Sequence, residues 1–115
     1  MKVLVVDDEE PLRKTLVRML KALPVEVLEA ENGEQGLELV LREPFELVIT
    51  DYSMPKLNGM ELITQCRQKF PKLPFILISE TCLGNTEKLD EVYFLKKPFR
   101  AGDLMSLVRY ILECN

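Results

Sequence analysis

Four places along the chain carry side chains suited to binding a cation or a phosphoryl group: the Asp7-Asp8 pair, Asp51, Ser79 and Lys97. Carboxylates gathered at one point repel each other, and such a cluster usually persists because a hard cation neutralises it. Oxygen ligands without His or Cys suit Mg²⁺ or Mn²⁺. A lysine and a hydroxyl beside that metal point to a phosphoryl group, whose equatorial oxygens need neutralisation. Each residue also has an ordinary reading. Asp7-Asp8 would serve as an acidic helix cap, Asp51 and Ser79 as turn residues, and Lys97 as a solvated surface lysine. Four such residues at four strand ends are much harder to explain in that way.

The elements that deliver them are legible in the hydrophobic pattern. Val3-Leu4-Val5-Val6 is an apolar run that stops at Asp7, and Leu47-Val48-Ile49-Thr50 stops at Asp51. Phe75 to Ile78 stops at Ser79, and Val92 to Leu95 is followed by Lys96-Lys97-Pro98-Phe99. Val25 to Ala30 alternates and supplies a further strand, with Val25, Val27 and Leu28 inward. Between them lie helical patterns. Pro11 suits a first helical turn, and Leu12, Leu16, Met19, Leu20 and Leu23 form one face ending at Pro24. Leu37, Val40 and Leu41 mark a short second helix between Asn32-Gly33 and Pro44. Leu62, Ile63, Cys66 and Phe70 mark a third, after the turn formers Pro55, Asn58 and Gly59. Leu104, Leu107, Val108, Ile111 and Leu112 mark the last, with Asp103 in its first turn. Glu80 to Glu91 carries only Leu83 and Leu89 as apolar residues and is interrupted by Gly84-Asn85, so a fourth helix there is short.

Strand–helix repeated five times, with nearly continuous apolar strands, predicts an α/β fold with a parallel sheet covered on both faces. Right-handed crossovers favour a doubly wound, flavodoxin-like (βα)5 sheet in the order 2-1-3-4-5. In that order the C-terminal ends of strands one, three, four and five lie side by side, which brings Asp7-Asp8, Asp51, Ser79 and Lys97 to one edge.

Composition sets the outer limits. At 115 residues, with 47% hydrophobic and 30% charged content, the chain reads as one globular domain, 1–115. A net charge of −4 argues against direct nucleic-acid binding. No apolar run approaches a membrane span and no signal peptide is visible, so a cytoplasmic location is expected. Cys66, Cys82 and Cys114 share no metal-ligand spacing and read as reduced thiols. There are no histidines, so a histidine base, ligand or phosphoryl carrier is excluded.

Over its whole length the sequence resembles the receiver (phosphoacceptor) domains of two-component response regulators. Val5-Val6-Asp7-Asp8 resembles the family's acidic pair. Asp51-Tyr52-Ser53-Met54-Pro55, with Gly59 and Glu61, resembles its D-x-x-M-P-x-x-x-G-x-E stretch. Ser79 takes the place of its Ser/Thr, and Lys97-Pro98-Phe99 matches its K-P-F. The resemblance implies that Asp51 accepts a phosphoryl group from a sensor histidine kinase or a phosphotransfer protein, becoming an aspartyl phosphate. It implies a Mg²⁺ (or Mn²⁺) site made by Asp8, Asp51 and the Ser53 carbonyl, with Asp7 contributing through water. Lys97 would pair with the phosphoryl oxygens ahead of a bond to Pro98 that is typically cis. Ser79 would bind the new group and swing inward, and Phe94 would follow it as the aromatic switch. The fourth helix, fifth strand and fifth helix would form the signalling face toward an output partner or a linked output domain. Such a protein catalyses its own phosphorylation and dephosphorylation without being a metabolic enzyme.

Two departures from the family pattern stand out. The stretch from Ser79 to Lys97 is several residues shorter than in typical members. Glu80 occupies a position usually held by a small residue, where a carboxylate would narrow access to Asp51 or repel the phosphoryl donor. These motivate a second hypothesis, a pseudo-receiver or interaction module that works without phosphorylation. An FMN-binding flavodoxin-like protein is excluded, because Asp7-Asp8-Glu9-Glu10 fills the loop that would have to cradle a phosphate. In the family, the residues two after the nucleophile and two after the switch hydroxyl govern water attack on the phosphoaspartate. Here they are Ser53 and Thr81, short and neutral, which predicts slow decay.

Overall fold

Val3 to Val6 are completely buried, and so are Leu47 to Thr50 and Phe75 to Ile78, as strands sandwiched between two helical layers must be. A computed structural model of the chain describes residues 1–80 and 90–113. Its strands are β1 (Lys2–Val6), β2 (Glu26–Ala30), β3 (Leu47–Asp51), β4 (Phe75–Ser79) and β5 (Val92–Lys96). Its helices are α1 (Glu10–Leu20), α2 (Gly33–Arg42), α3 (Gly59–Lys69) and α4 (Ala101–Glu113), the last being the fifth helix of the sequence-based prediction. The expected short fourth helix falls mainly on 81–89 and lies outside the described residues, as do Cys82 and Cys114.

The strands are parallel and lie in the order β2-β1-β3-β4-β5, as the pattern predicts. Alternate residues serve opposite layers. Val3, Val5, Leu47, Ile49, Ile76 and Ile78 pack with α1 and α4, through Leu16, Leu20, Leu104 and Val108. Leu4, Val6, Val48, Phe75 and Leu77 pack with α2 and α3, through Val40, Leu62, Ile63 and Cys66. Val27 faces the first layer and Leu28 the second, so β2 is also covered on both sides.

Three details of the helices differ from the prediction. Helix α1 ends at Leu20 and the chain turns before Pro24, with Leu23 N–H donating to the Leu20 carbonyl. Its buried stripe is Arg13, Leu16, Val17 and Leu20, so Arg13 takes a core position. In α2 the buried stripe is Gly33, Gly36 and Val40, and Leu41, about 100° further round, is exposed. Local chemistry fixes the starts of the helices nearest the site. Asn58 and Glu61 form a capping box at α3, each side chain accepting the other's backbone N–H at 2.9 Å. Asn32 caps α2 by accepting from Gln35 N–H.

Candidate functional site

Register carries the four motifs to one place. Val6 pairs with Thr50 across β1–β3, Asp51 pairs with Ile78 across β3–β4, and Ser79 pairs with Lys96 across β4–β5. The next residue of β1 is Asp7 and the next of β5 is Lys97. All therefore lie at the carboxyl edge of the sheet, the ordinary place for a ligand crevice in this architecture. A cavity of about 480 Å³ opens there, lined by Asp8, Glu9, Asp51, Tyr52, Ser53, Ser79, Glu80 and Lys97. A second, mainly apolar cavity of about 510 Å³ lies elsewhere, beside Phe45, Phe70 and Pro71, and shares none of these residues.

Asp51 is the last residue of β3 and is buried at 5% exposure. Its Oδ1 lies 3.1 Å from Lys97 Nζ. Burial raises the Asp51 carboxyl above its ordinary range, and the Lys97 hydrogen bond and charge oppose that rise without cancelling it. Burial works to lower Lys97, but the Asp51 partnership outweighs it and the ammonium is held above its usual value. The peptide bond between Lys97 and Pro98 is cis, as the family resemblance implies.

Asp7, Asp8 and Asp51 each offer a carboxylate oxygen, all within 4.8 Å of one another. Asp7 is fully buried; one oxygen accepts Glu9 N–H at 2.8 Å and the other, Oδ2, has no hydrogen-bond partner among the described residues. An orphaned anionic oxygen in a dry site is costly unless something positive or a proton meets it. Burial, with the Asp51 and Asp8 charges adding to it, pushes the Asp7 carboxyl up to about 6. An oxygen-only donor set with an unsatisfied buried oxygen fits a small divalent cation such as Mg²⁺.

The sequence-predicted residues thus meet at one edge. Ser53 is exposed on the cavity rim, Ser79 is buried beside it, and Glu80 is exposed at the mouth. Phe94 does not line the cavity; it is 43% exposed on β5. Thr81 lies outside the described residues. Sequence reasoning missed Glu9, Tyr52 and Arg13. Arg13 Nη1 donates to the Asp7 carbonyl at 2.9 Å. Its signal was a position three residues before Leu16, on the buried stripe of α1.

The family model of the response regulator receiver domain matches residues 3–109. The chain belongs to this family. Among relatives, the receiver domain is 34% identical to the response regulator protein PilR of Pseudomonas aeruginosa, over 97% of this chain and 26% of that protein. It is 31% identical to the response regulator MprA of Mycobacterium leprae, over 98% of this chain and 51% of that protein. The chain therefore spans between a quarter and a half of the length of these relatives. Among solved structures, the receiver domain from Clostridium thermocellum superposes with a TM-score of 0.87 at 28% identity, covering 97% of this chain and 94% of that one. The response regulator TrrA of Thermotoga maritima, solved in complex with Mg²⁺-BeF, superposes with a TM-score of 0.86 at 28% identity, covering 96% and 97%. Receiver domains hold Mg²⁺ at their acidic pocket, and this receiver domain has the corresponding acidic cluster. No helix among the described residues is long and apolar enough to cross a membrane.

Proposed function

We propose that Asp51 is the phosphoacceptor of this receiver domain and that its phosphorylation shifts the surface carrying β5 and α4. The observation that carries the reading is the Asp51–Lys97 pair at 3.1 Å, set within carboxylate-oxygen reach of Asp7 and Asp8. The donor would be a histidine kinase or a phosphotransfer protein, and the setting cytoplasmic. An Asp51 oxygen attacks the phosphorus of the donor's phosphohistidine; the new O–P bond forms as the N–P bond breaks, and its electron pair leaves with the imidazole. Lys97 opposes the rise that burial imposes on the Asp51 carboxyl beforehand and faces the phosphoryl oxygens afterwards. Asp8, Asp51 and the Ser53 carbonyl, with Asp7 behind them, would hold Mg²⁺, which when bound supplies Lewis-acid neutralisation of the phosphoryl charge. Ser79 lines the same cavity and suits a hydrogen bond to the new group.

The product carries a charge of about −1.5 to −2 where a single carboxylate stood. Such a change biases a two-state surface. Phe94 and Tyr110, 43% and 57% exposed, lie on the face that would respond. Among the described residues, Glu80 alone motivates the phosphorylation-independent alternative, and it lines the same cavity as the Asp51–Lys97 pair. Incubation with acetyl phosphate and Mg²⁺, followed by intact mass, tests the proposal: one added phosphoryl group is expected in wild type and none in Asp51→Asn. An unmodified wild type would favour the interaction module.

A further inference from the structure

Helix α1 turns Arg13 toward the protein interior at a position where Leu16, Val17 and Leu20 are its stripe companions. A buried guanidinium is expensive unless every arm is used. Here two arms serve two different strands. Nη1 donates to the Asp7 main-chain carbonyl at 2.9 Å, and Nε donates to Glu29 Oε1 at 2.9 Å. Asp7 N–H in turn donates to the Ala30 carbonyl at 3.1 Å, one residue beyond Glu29. The three bonds close a ring through the end of β1, the end of β2 and the first turns of α1. Asp7 is held at its amide by β2 and at its carbonyl by Arg13, and the Asp7-Asp8 turn leaves from that clamp.

We propose that Arg13 is a positioning residue for the cation site: by fixing the Asp7 carbonyl it sets where the Asp7 and Asp8 carboxylates stand relative to Asp51. The inference rests on the Mg²⁺-binding reading given above. Arg13 acts through geometry, since its charge is already met by Glu29 at 2.9 Å and, more distantly, by Glu10 at 4.0 Å. That carboxyl is held below its ordinary value: burial works to raise it, and the Arg13 and Lys14 bonds more than offset the burial. A lysine would retain the charge but offers one compact ammonium in place of a planar fork, so it cannot span both acceptors. Loss of a group that orients metal ligands typically weakens the metal by about 10- to 100-fold.

The test is Mn²⁺ titration of the full chain, followed by electron paramagnetic resonance, with Mn²⁺ standing in for Mg²⁺. Wild type is expected to bind and Asp8→Ala to bind far more weakly, which checks the site itself. Arg13→Met, which keeps the stem volume, is expected to raise the Mn²⁺ Kd about tenfold. Its acetyl-phosphate labelling should need correspondingly more Mg²⁺ while the rate at saturating Mg²⁺ stays near that of wild type, a split that a general loss of stability would not produce. Glu29→Gln, which leaves the Asp7 carbonyl bond in place, should change Kd less than Arg13→Met. If Arg13→Met does not fold, Arg13→Lys carries the test, with Kd raised at least threefold. Wild-type binding with an unchanged Kd in a folded Arg13→Met or Arg13→Lys overturns the positioning role alone. Absence of binding by wild type overturns the cation site, and the proposal with it.

Discussion

Lys97 reaches across from the end of β5 to place its Nζ 3.1 Å from Oδ1 of Asp51, pairing a partly buried ammonium with a nearly buried carboxylate. The pair is the one cationic contact made by the acidic cluster's side chains among the described residues. Lys97→Met removes it. Labelling by acetyl phosphate should then fall by about 100-fold, a usual cost for losing one preorganised charge at a developing anion. Mn²⁺ affinity should hold or tighten, because a competing cation is gone. Comparable losses in both would mean that the lysine supports the fold of the site and not the transfer.

Asp7 gives a pH prediction. Its folded value of about 6 lies above the ordinary 3.8, chiefly because it is buried. A carboxyl that is harder to ionise when folded contributes stability in its protonated form. That contribution is complete below about pH 3.8 and is lost as pH rises through about 6. The metal-free protein should therefore lose about 3 kcal/mol from this group, as an upper figure, between acidic and mildly alkaline pH, at about 1.4 kcal/mol for each pH unit. Asp7→Asn should cancel the loss. Urea unfolding in EDTA at pH 5 and pH 7.5 captures the upper part of it, about 1.4 kcal/mol; an unaltered pH slope in Asp7→Asn would place the strain elsewhere. Added Mg²⁺ should restore stability to wild type at pH 7.5 more than to the variant.

Gly59 ties the start of α3 to the site. Its N–H donates to the Tyr52 carbonyl at 2.8 Å, and a Cβ there would lie 2.6 Å from the Asp51 carbonyl oxygen and 2.5 Å from Leu77 Cδ1. Gly59→Ala should cost about 2–3 kcal/mol by overpacking, and should slow labelling by displacing Asp51. Gly102, in α4, has nothing among the described residues within 4 Å of such a Cβ. Gly102→Ala should stabilise by about 0.5–1 kcal/mol through helix propensity, without changing labelling. Thermal melts of both variants decide the matter, and equal effects would refute the packing argument.

The hydrophobic pattern was enough to order the strands, because a sheet covered on both faces leaves uninterrupted apolar runs such as Phe75 to Ile78. It also placed Asp7, Asp51, Ser79 and Lys97 at one edge, since each run ends where its motif begins. Polar groups that serve the core were harder to see. Arg13 was hidden because Leu12, one position away, gives an equally periodic face, and only the Glu29 and Asp7 contacts show which way the helix is turned. From sequence the neutral Asn58 reads as a turn former, whereas its bond to Glu61 makes it the cap of α3. Spacing alone marks α2 by Leu37, Val40 and Leu41 without saying which of them face inward; the close approach at Gly33 and Gly36 turns Leu41 outward.

The lifetime of the phosphorylated state is expected to be long. Ser53 is a short, neutral side chain on the cavity rim, and Thr81, known from sequence only, has the same character. Neither reaches as far as an amide or a carboxylate to hold an attacking water. Ser53→Asn or Thr81→Glu should shorten the decay after the donor is removed. If neither does, Glu80 at the cavity mouth is the next residue to replace, and Glu80→Ala should also speed labelling by anionic donors at low salt.

The most direct measurement of the central claim is intact mass after incubation with acetyl phosphate and Mg²⁺, followed by peptide mapping of the reduced and trapped aspartyl phosphate. The account predicts one phosphoryl group, located at Asp51, absent without a divalent cation and absent in Asp51→Asn. Full labelling of Asp51→Asn, or a phosphoryl group mapped to any other residue, would contradict it.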